Sequence, residues 1–198
     1  MEQLLERLWV RHQQQCGDKT LLLVDETEGE ATHKWFLNNS RFVVLDADLL
    51  AKKKLIQKRH VSAILSEARH SLIYAIKHGK TLVVRMSDSK TDFRGVFCDE
   101  CCAEREEESK YPPYQPLSFL PIQFLLQGGA AMITQHYLDR LFHREDKGDL
   151  PLVEANKSNF SVIITSTIPT SKIEMQLLNG SFGLPGTVDD YDIQAVNY

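Results

Sequence analysis

Apolar residues follow two alternating spacings along the chain, one helical and one that of buried strands. Leu4, Leu5, Leu8 and Trp9 recur at helical spacing, and Gly17-Asp18 ends that stretch. Thr20 to Val24 is a continuous apolar run of strand length, as expected where both faces of a strand are covered. Thr32 to Asn38 starts a helix that Asn38-Asn39-Ser40 stops, and Arg41 to Leu45 forms a second strand. Val61, Ile64, Leu65, Ala68, Leu72, Ile73 and Ile76 make an amphipathic stripe closed by His78-Gly79, after which Thr81 to Arg85 is a third strand. Ser161 to Thr165 is a fourth, and Ile173 to Leu178 begins a last helix. Strands separated by helices predict an α/β fold with three layers, a parallel sheet covered by helices.

The pattern weakens between Met86 and Glu154. Residues 87–115 are acidic and contain cysteines and prolines, which predicts a surface insertion. Pro116 to Leu126 and Ala131 to Phe142 return to helical spacing, the latter with Met132, Ile133, Tyr137 and Leu141 on one face. The 198 residues fit a single domain, residues 1–19 being an N-terminal helix and linker.

Composition narrows the function classes. A formal charge of −4 gives no electrostatic footprint for nucleic acid, and the run Lys52-Lys53-Lys54 reads as a solvated helix face. No apolar run approaches the ~18 residues that span a bilayer. The N-terminus MEQLLERLWVRHQQQ alternates charge with leucine instead of forming a signal-peptide core, so a cytoplasmic, soluble chain without membrane partners is expected. Cys98, Cys101 and Cys102 offer three thiolates at zinc-like spacing, but a structural zinc site needs a fourth ligand, which Cys16, His136 or His143 would have to supply. The reading set against zinc is free thiols in the acidic insertion.

A parallel sheet places ligands beyond the carboxyl ends of its strands, which directs attention to LLLVDETEGEATHKWF, Leu21 to Phe36. Leu21 to Glu26 has the wording of a Walker B strand, yet no phosphate-binding loop precedes it. The order strand, loop, helix is instead that of a P-loop, whose amides converge on phosphates. With Lys34 aligned to the P-loop lysine, Glu28 and His33 stand where glycines belong and Trp35 replaces the magnesium-binding hydroxyl. Asp25, Glu26, Glu28 and Glu30 against Lys34 make the stretch formally −3, which repels triphosphate. The third strand ends in Arg85-Met86 where Asp-Glu would hold the metal. Both halves of a nucleotide site are degenerate.

These residues resemble the fifth AAA+ module of dynein heavy chains. That module carries an apolar strand and a loop of the form D-P-Q-x-Q-A-N-K-W, matched here at Asp25, Lys34 and Trp35. RFVVLDADLLAKKKLI and VSAILSEARHSLIYAIKHGKTLVV resemble its second strand, long helix and third strand, and LSFLPIQFLL a later helix. NFSVIITSTIP is similar to the strand at its sensor-1 position, and MQLLNGSFGLPGTVDDYDIQAV to its close, through Leu177, Leu178, Asn179, Phe182, Pro185 and Gln194. The resemblance implies a P-loop-like, AAA+-type domain without hydrolysis, serving as a structural or protein-interaction module in a cytoskeletal or ciliary setting. Its partners would be proteins or other parts of a larger assembly, with an apolar surface left for a neighbour where the chain ends. No cofactor is expected. The alternative is a nucleotide-binding protein or weak ATPase, with Lys34 on phosphate, Asp25 beside it, and Thr165 or Asn159 as sensor. Ser166 lacks a Gly-x-Ser-x-Gly elbow, so nucleophilic catalysis is unsupported.

Overall fold

The computed structural model describes residues 2–15, 19–27, 30–59, 61–88, 133–135, 138, 141–142, 144–178, 184 and 187–197. Chain order is α1 (Glu2–Gln15), β1 (Thr20–Asp25), α2 (Ala31–Leu37), β2 (Phe42–Asp46), α3 (Ala47–Leu55), α4 (Val61–Lys77), β3 (Thr81–Ser87), α5 (Leu150–Asn156), β4 (Ser161–Ser166), α6 (Thr170–Leu178) and β5 (Tyr191–Val196). The strands form one five-stranded sheet in the order β2-β3-β4-β1-β5. Every pairing is parallel. β1 therefore lies inside the sheet, between β4 and β5.

Side-chain alternation splits the apolar residues of each inner strand between the two faces. Leu21, Leu23, Val83 and Ile163 face Leu5 of α1 and Trp35 and Phe36 of α2. Leu22, Val24, Leu82, Val84, Val162 and Ile164 face Leu50 of α3, the stripe Ile64, Ala68, Leu72 and Ile76 of α4, and Ile173 and Leu177 of α6. The result is the expected three-layer arrangement. On the first face Trp35, Phe36 and Phe42 form an aromatic cluster with centroids 4.7–5.2 Å apart. Arg41 lies 5.5 Å from both the Trp9 and Phe42 rings and clasps Glu6, which fixes α1 over the start of β2. Farther along the same helix, buried His12 pairs with Asp192 of β5 at 2.9 Å.

Three elements depart from the sequence reading. β5 is a strand although its pattern, Tyr-Asp-Ile-Gln-Ala-Val, mixes polar and apolar residues, as suits an edge strand covered on one side. α3 begins directly at Asp46, whose carboxylate accepts from the Leu49 N–H at 2.8 Å and so caps the helix. α5 is short and follows a 3₁₀ turn, Arg144–Asp149, with Pro151 in its first turn. That turn is held from α4 by Arg69, fully buried, which donates to Leu141 O at 2.9 Å and to the Asp146 carboxylate. No described helix is long and apolar enough to cross a membrane. The insertion at 87–115 beyond Asp88, the helix expected over Pro116 to Leu126, and Asn179, Phe182 and Pro185 lie outside the described residues.

α4 ends as its His78-Gly79 signal predicts. Gly79 sits at φ 57°, its N–H donates to Ile76 O, and the Lys80 N–H reaches back to Ala75 O, the double bond of a Schellman stop. A Cβ on Gly79 would lie 2.9 Å from Asn156 O, so glycine is required by both conformation and space. Gly79→Ala is expected to lower stability by about 1–3 kcal/mol, read from urea denaturation. A neutral substitution would mean that the turn after α4 relaxes freely.

Candidate functional site

The carboxyl ends of β1, β3 and β4 meet in a polar recess lined by Asp25, Glu30, Thr32, His33, Arg85, Ser87, Thr165, Ser166 and Thr167. β1 delivers Asp25 there because its apolar run ends at that residue, and the carboxylate is 4 % exposed. One oxygen accepts from the Thr27 N–H at 3.0 Å and from the Thr27 hydroxyl. The other accepts from the Thr32 N–H, in the first turn of α2, at 2.9 Å. Asp25 thus caps α2 from seven residues upstream, supplying the negative group that a helix start favours. The residue at the formal capping position, Glu30, makes no side-chain cap bond.

Relieved of that task, Glu30 turns to β3. Its backbone is left-handed, φ 56° and ψ 49°, at a cost of about 1–2 kcal/mol for a residue with a Cβ. Its carboxylate accepts from Arg85 at 2.7 and 2.8 Å. Arg85 gives its other terminal nitrogen to Asp46 at 2.7 Å and stands 4.0 Å from Asp48. Burial disfavours the charge on Arg85, but Asp46 and Glu30 outweigh it and hold the pKa above the ordinary arginine value. Asp48 also pairs with Lys52 at 2.6 Å. Glu30, Asp46 and Asp48 therefore face Arg85 and Lys52, three negative charges against two positive, and Asp25 adds a fourth carboxylate to the same end of the sheet. The sign is wrong for triphosphate.

β4 closes the recess. Ser166 donates to Ser87 O at 3.0 Å and its hydroxyl accepts from the Ile168 N–H at 3.1 Å, so it bridges two main-chain groups. The Thr167 N–H also donates to Ser87 O, at 3.0 Å, and the β3–β4 register shifts between Arg85 and Ser87. Ser87 itself has φ 55°. Two non-glycine residues in the left-handed region, Glu30 and Ser87, thus flank Arg85, and strain of this kind gathers at functional positions. The recess retains about 10 Å³ of open volume, room for about one water molecule. Thr32 Oγ1, buried and without a partner among the described residues, is suited to bind such a water.

Of the residues singled out from sequence, Asp25 and Thr165 do converge here, Thr165 being 5 % exposed and beside Leu23 and Arg85 in the sheet. Lys34 does not. It is exposed one turn into α2 and does not line the recess. Asn159 precedes β4 and lies at the opposite end of the sheet, so it cannot serve as a sensor beside Lys34. Glu30, Asp46 and Asp48 were not singled out as partners of Arg85. The available signal was charge reversal, acids in the loop and a base where the strand should end in acid. Cys98, Cys101 and Cys102, and the zinc site they would build, lie outside the described residues, as do Cys16, His136 and His143. Among the described residues no cluster of three metal-ligating side chains occurs.

Two measurements test this arrangement. Arg85 is 13 % exposed, so Arg85→Met leaves Glu30, Asp46 and Asp48 without their shared cation and should cost about 2–4 kcal/mol. Glu30→Gln removes a 40 % exposed partner and should cost under about 1 kcal/mol. Denaturation midpoints ranked the other way would show that Asp46 and Asp48 need no counter-charge.

The second concerns pH. Burial first, and then Arg85, depress the His33 pKa below its ordinary 6.5, against the opposing pull of Asp46 and Glu30. The unfolded chain then binds the proton more readily than the native one. Stability should fall as pH drops below about 6.5 and level off below the native pKa. His33→Gln should flatten that part of the profile, and an unchanged slope would remove His33 from the account.

Comparison with known proteins finds no family model, no curated protein and no solved structure that matches the chain.

Proposed function

We propose that the chain is a non-catalytic, P-loop-like module of AAA+ type, related to the fifth AAA+ module of dynein, whose nucleotide site has been converted into a structural ionic hub. The observation that carries this reading is the occupation of the loop after β1 by its own acids. The Asp25 carboxylate takes the Thr32 N–H, in the first turn of α2, and Glu30 takes Arg85. In a working P-loop the first would face a phosphate and the strand end would hold a metal. Support also comes from strand order. β4, which resembles the sensor-1 strand, lies between loop-bearing β1 and β3 at the Walker B position. Phosphate, metal and sensor positions would thus be adjacent, though none keeps its chemistry.

The role that follows is a scaffold or interaction domain with protein partners, in a cytoplasmic assembly of cytoskeletal or ciliary character. That setting rests on the resemblance alone.

Titration of the protein with ATP and ADP, with and without Mg²⁺, tests the reading. No calorimetric signal and no shift in melting temperature are expected at millimolar nucleotide, where binding tighter than ~100 μM would raise stability by more than about 1 kcal/mol. Saturable binding that Lys34→Ala abolishes would replace this reading with a nucleotide sensor or slow ATPase.

A further inference from the structure

The end of the sheet opposite the hub carries a different site. Loops entering β2, β3 and β4 converge with α1 around a groove of about 530 Å³, within the range of small-ligand pockets. Arg41, His78 and Lys80 line it together with Ser40, Ser158 and Asn159, and among the described residues no carboxylate does. In a chain of net charge −4, with four acids at the hub's end of the sheet, the described residues of this groove offer basic and neutral hydrogen-bonding groups.

Such cations often do no more than answer the negative ends of helices. Here that duty is already discharged. The last carbonyls of α4 are met internally: Tyr74 O by the His78 N–H, Ala75 O by the Lys80 N–H, Ile76 O by the Gly79 N–H, and Lys77 O by the Asn156 side-chain amide. Lys80 has no carboxylate partner among the described residues, its ammonium standing 5.1 Å from the Tyr74 ring centre. Arg41 is 48 % exposed, its two terminal nitrogens held by Glu6 and its Nε donating to Asn39 Oδ1 at 3.3 Å. Its fork can donate to a planar or tetrahedral oxyanion in place of Glu6, so the two compete for it.

We propose that this groove binds a small phosphate monoester, with Lys80 and Arg41 as charge partners, His78 beside them, and the Ser40 and Ser158 hydroxyls and Asn159 amide as further donors. A phosphoryl group suits the lining because it carries up to two charges and three strong acceptor oxygens, and so can engage several donors arriving from different loops. Glu6 then acts as a tethered competitor that sets affinity through Arg41. The inference is independent of what the hub once bound.

Amide NMR of the whole chain titrated with phenyl phosphate tests it. Saturable shifts are expected at Ser40, Lys80 and Ser158, with Kd below about 20 mM and weakening as salt screens the charges. Lys80→Glu should weaken binding at least ~10-fold, and Glu6→Gln should tighten it by roughly 3-fold, a gain that a purely structural role for the Arg41 clasp does not produce. Should Lys80→Glu fail to fold, the double variant Lys80→Gln, His78→Gln carries the same test. No shift by about 20 mM ligand, or shifts unchanged by Lys80→Glu, would overturn the proposal. Shifts confined to Thr32, His33 and Lys34 would overturn it too, and would separately contradict the occupied-loop reading.

Discussion

The arrangement of the carboxyl ends depends on one guanidinium. Arg85 stands on β3 yet takes Glu30 from the loop after β1 and Asp46 from the start of α3, so a single side chain joins elements far apart in sequence. Removing either acid leaves the cation a partner, whereas removing the cation leaves carboxylates facing one another in a half-buried site. That asymmetry follows from the cost of uncompensated charge away from water. It also explains why Asp46 can serve two purposes, one oxygen capping α3 and the other holding Arg85. The helix and the hub share one carboxylate, and each fixes the rotamer that the other needs.

The inner part of the fold was legible because burial on both faces writes a continuous apolar run, and β1, β3 and β4 carry one. The helical stripe of α4 was equally plain. The edge strand β5 was not, since an edge is covered unevenly and its residues follow no single period. α5 is too short for periodicity to register. At the site, the sequence disclosed that the loop was acidic and that β3 ended in a base, and both facts concern composition at known positions. It could not disclose that these charges meet, because Glu30 and Arg85 lie 55 residues apart and their contact depends on the left-handed backbone at Glu30. Lys34 attracted attention as the surviving P-loop residue, but helical geometry points it to solvent.

The two ends of the sheet have opposite character. The carboxyl end holds the acidic, internally paired hub, while at the amino end the loops entering β2, β3 and β4 line an open groove with basic and neutral groups. Parallel strands direct all loops that leave the sheet to one side and all that enter it to the other, so the segregation of charge by loop type becomes segregation in space. A module of this kind meets its surroundings with a definite polarity.

The reach of Asp25 to the Thr32 N–H has a final consequence. That bond closes a ring through the intervening backbone, and the ring's circumference is set by the number of residues between strand and helix. The closing groups are a carboxylate and a main-chain amide, so the ring itself depends on Asp25 alone, while Thr27 and Glu30 inside it are tied by their own side-chain bonds. Residue number cannot change, because one insertion or deletion rotates the first turn of α2 by about 100° and carries the amide away from its acceptor. The segment is thus held by its length as firmly as by the side chains that it gives to the hub.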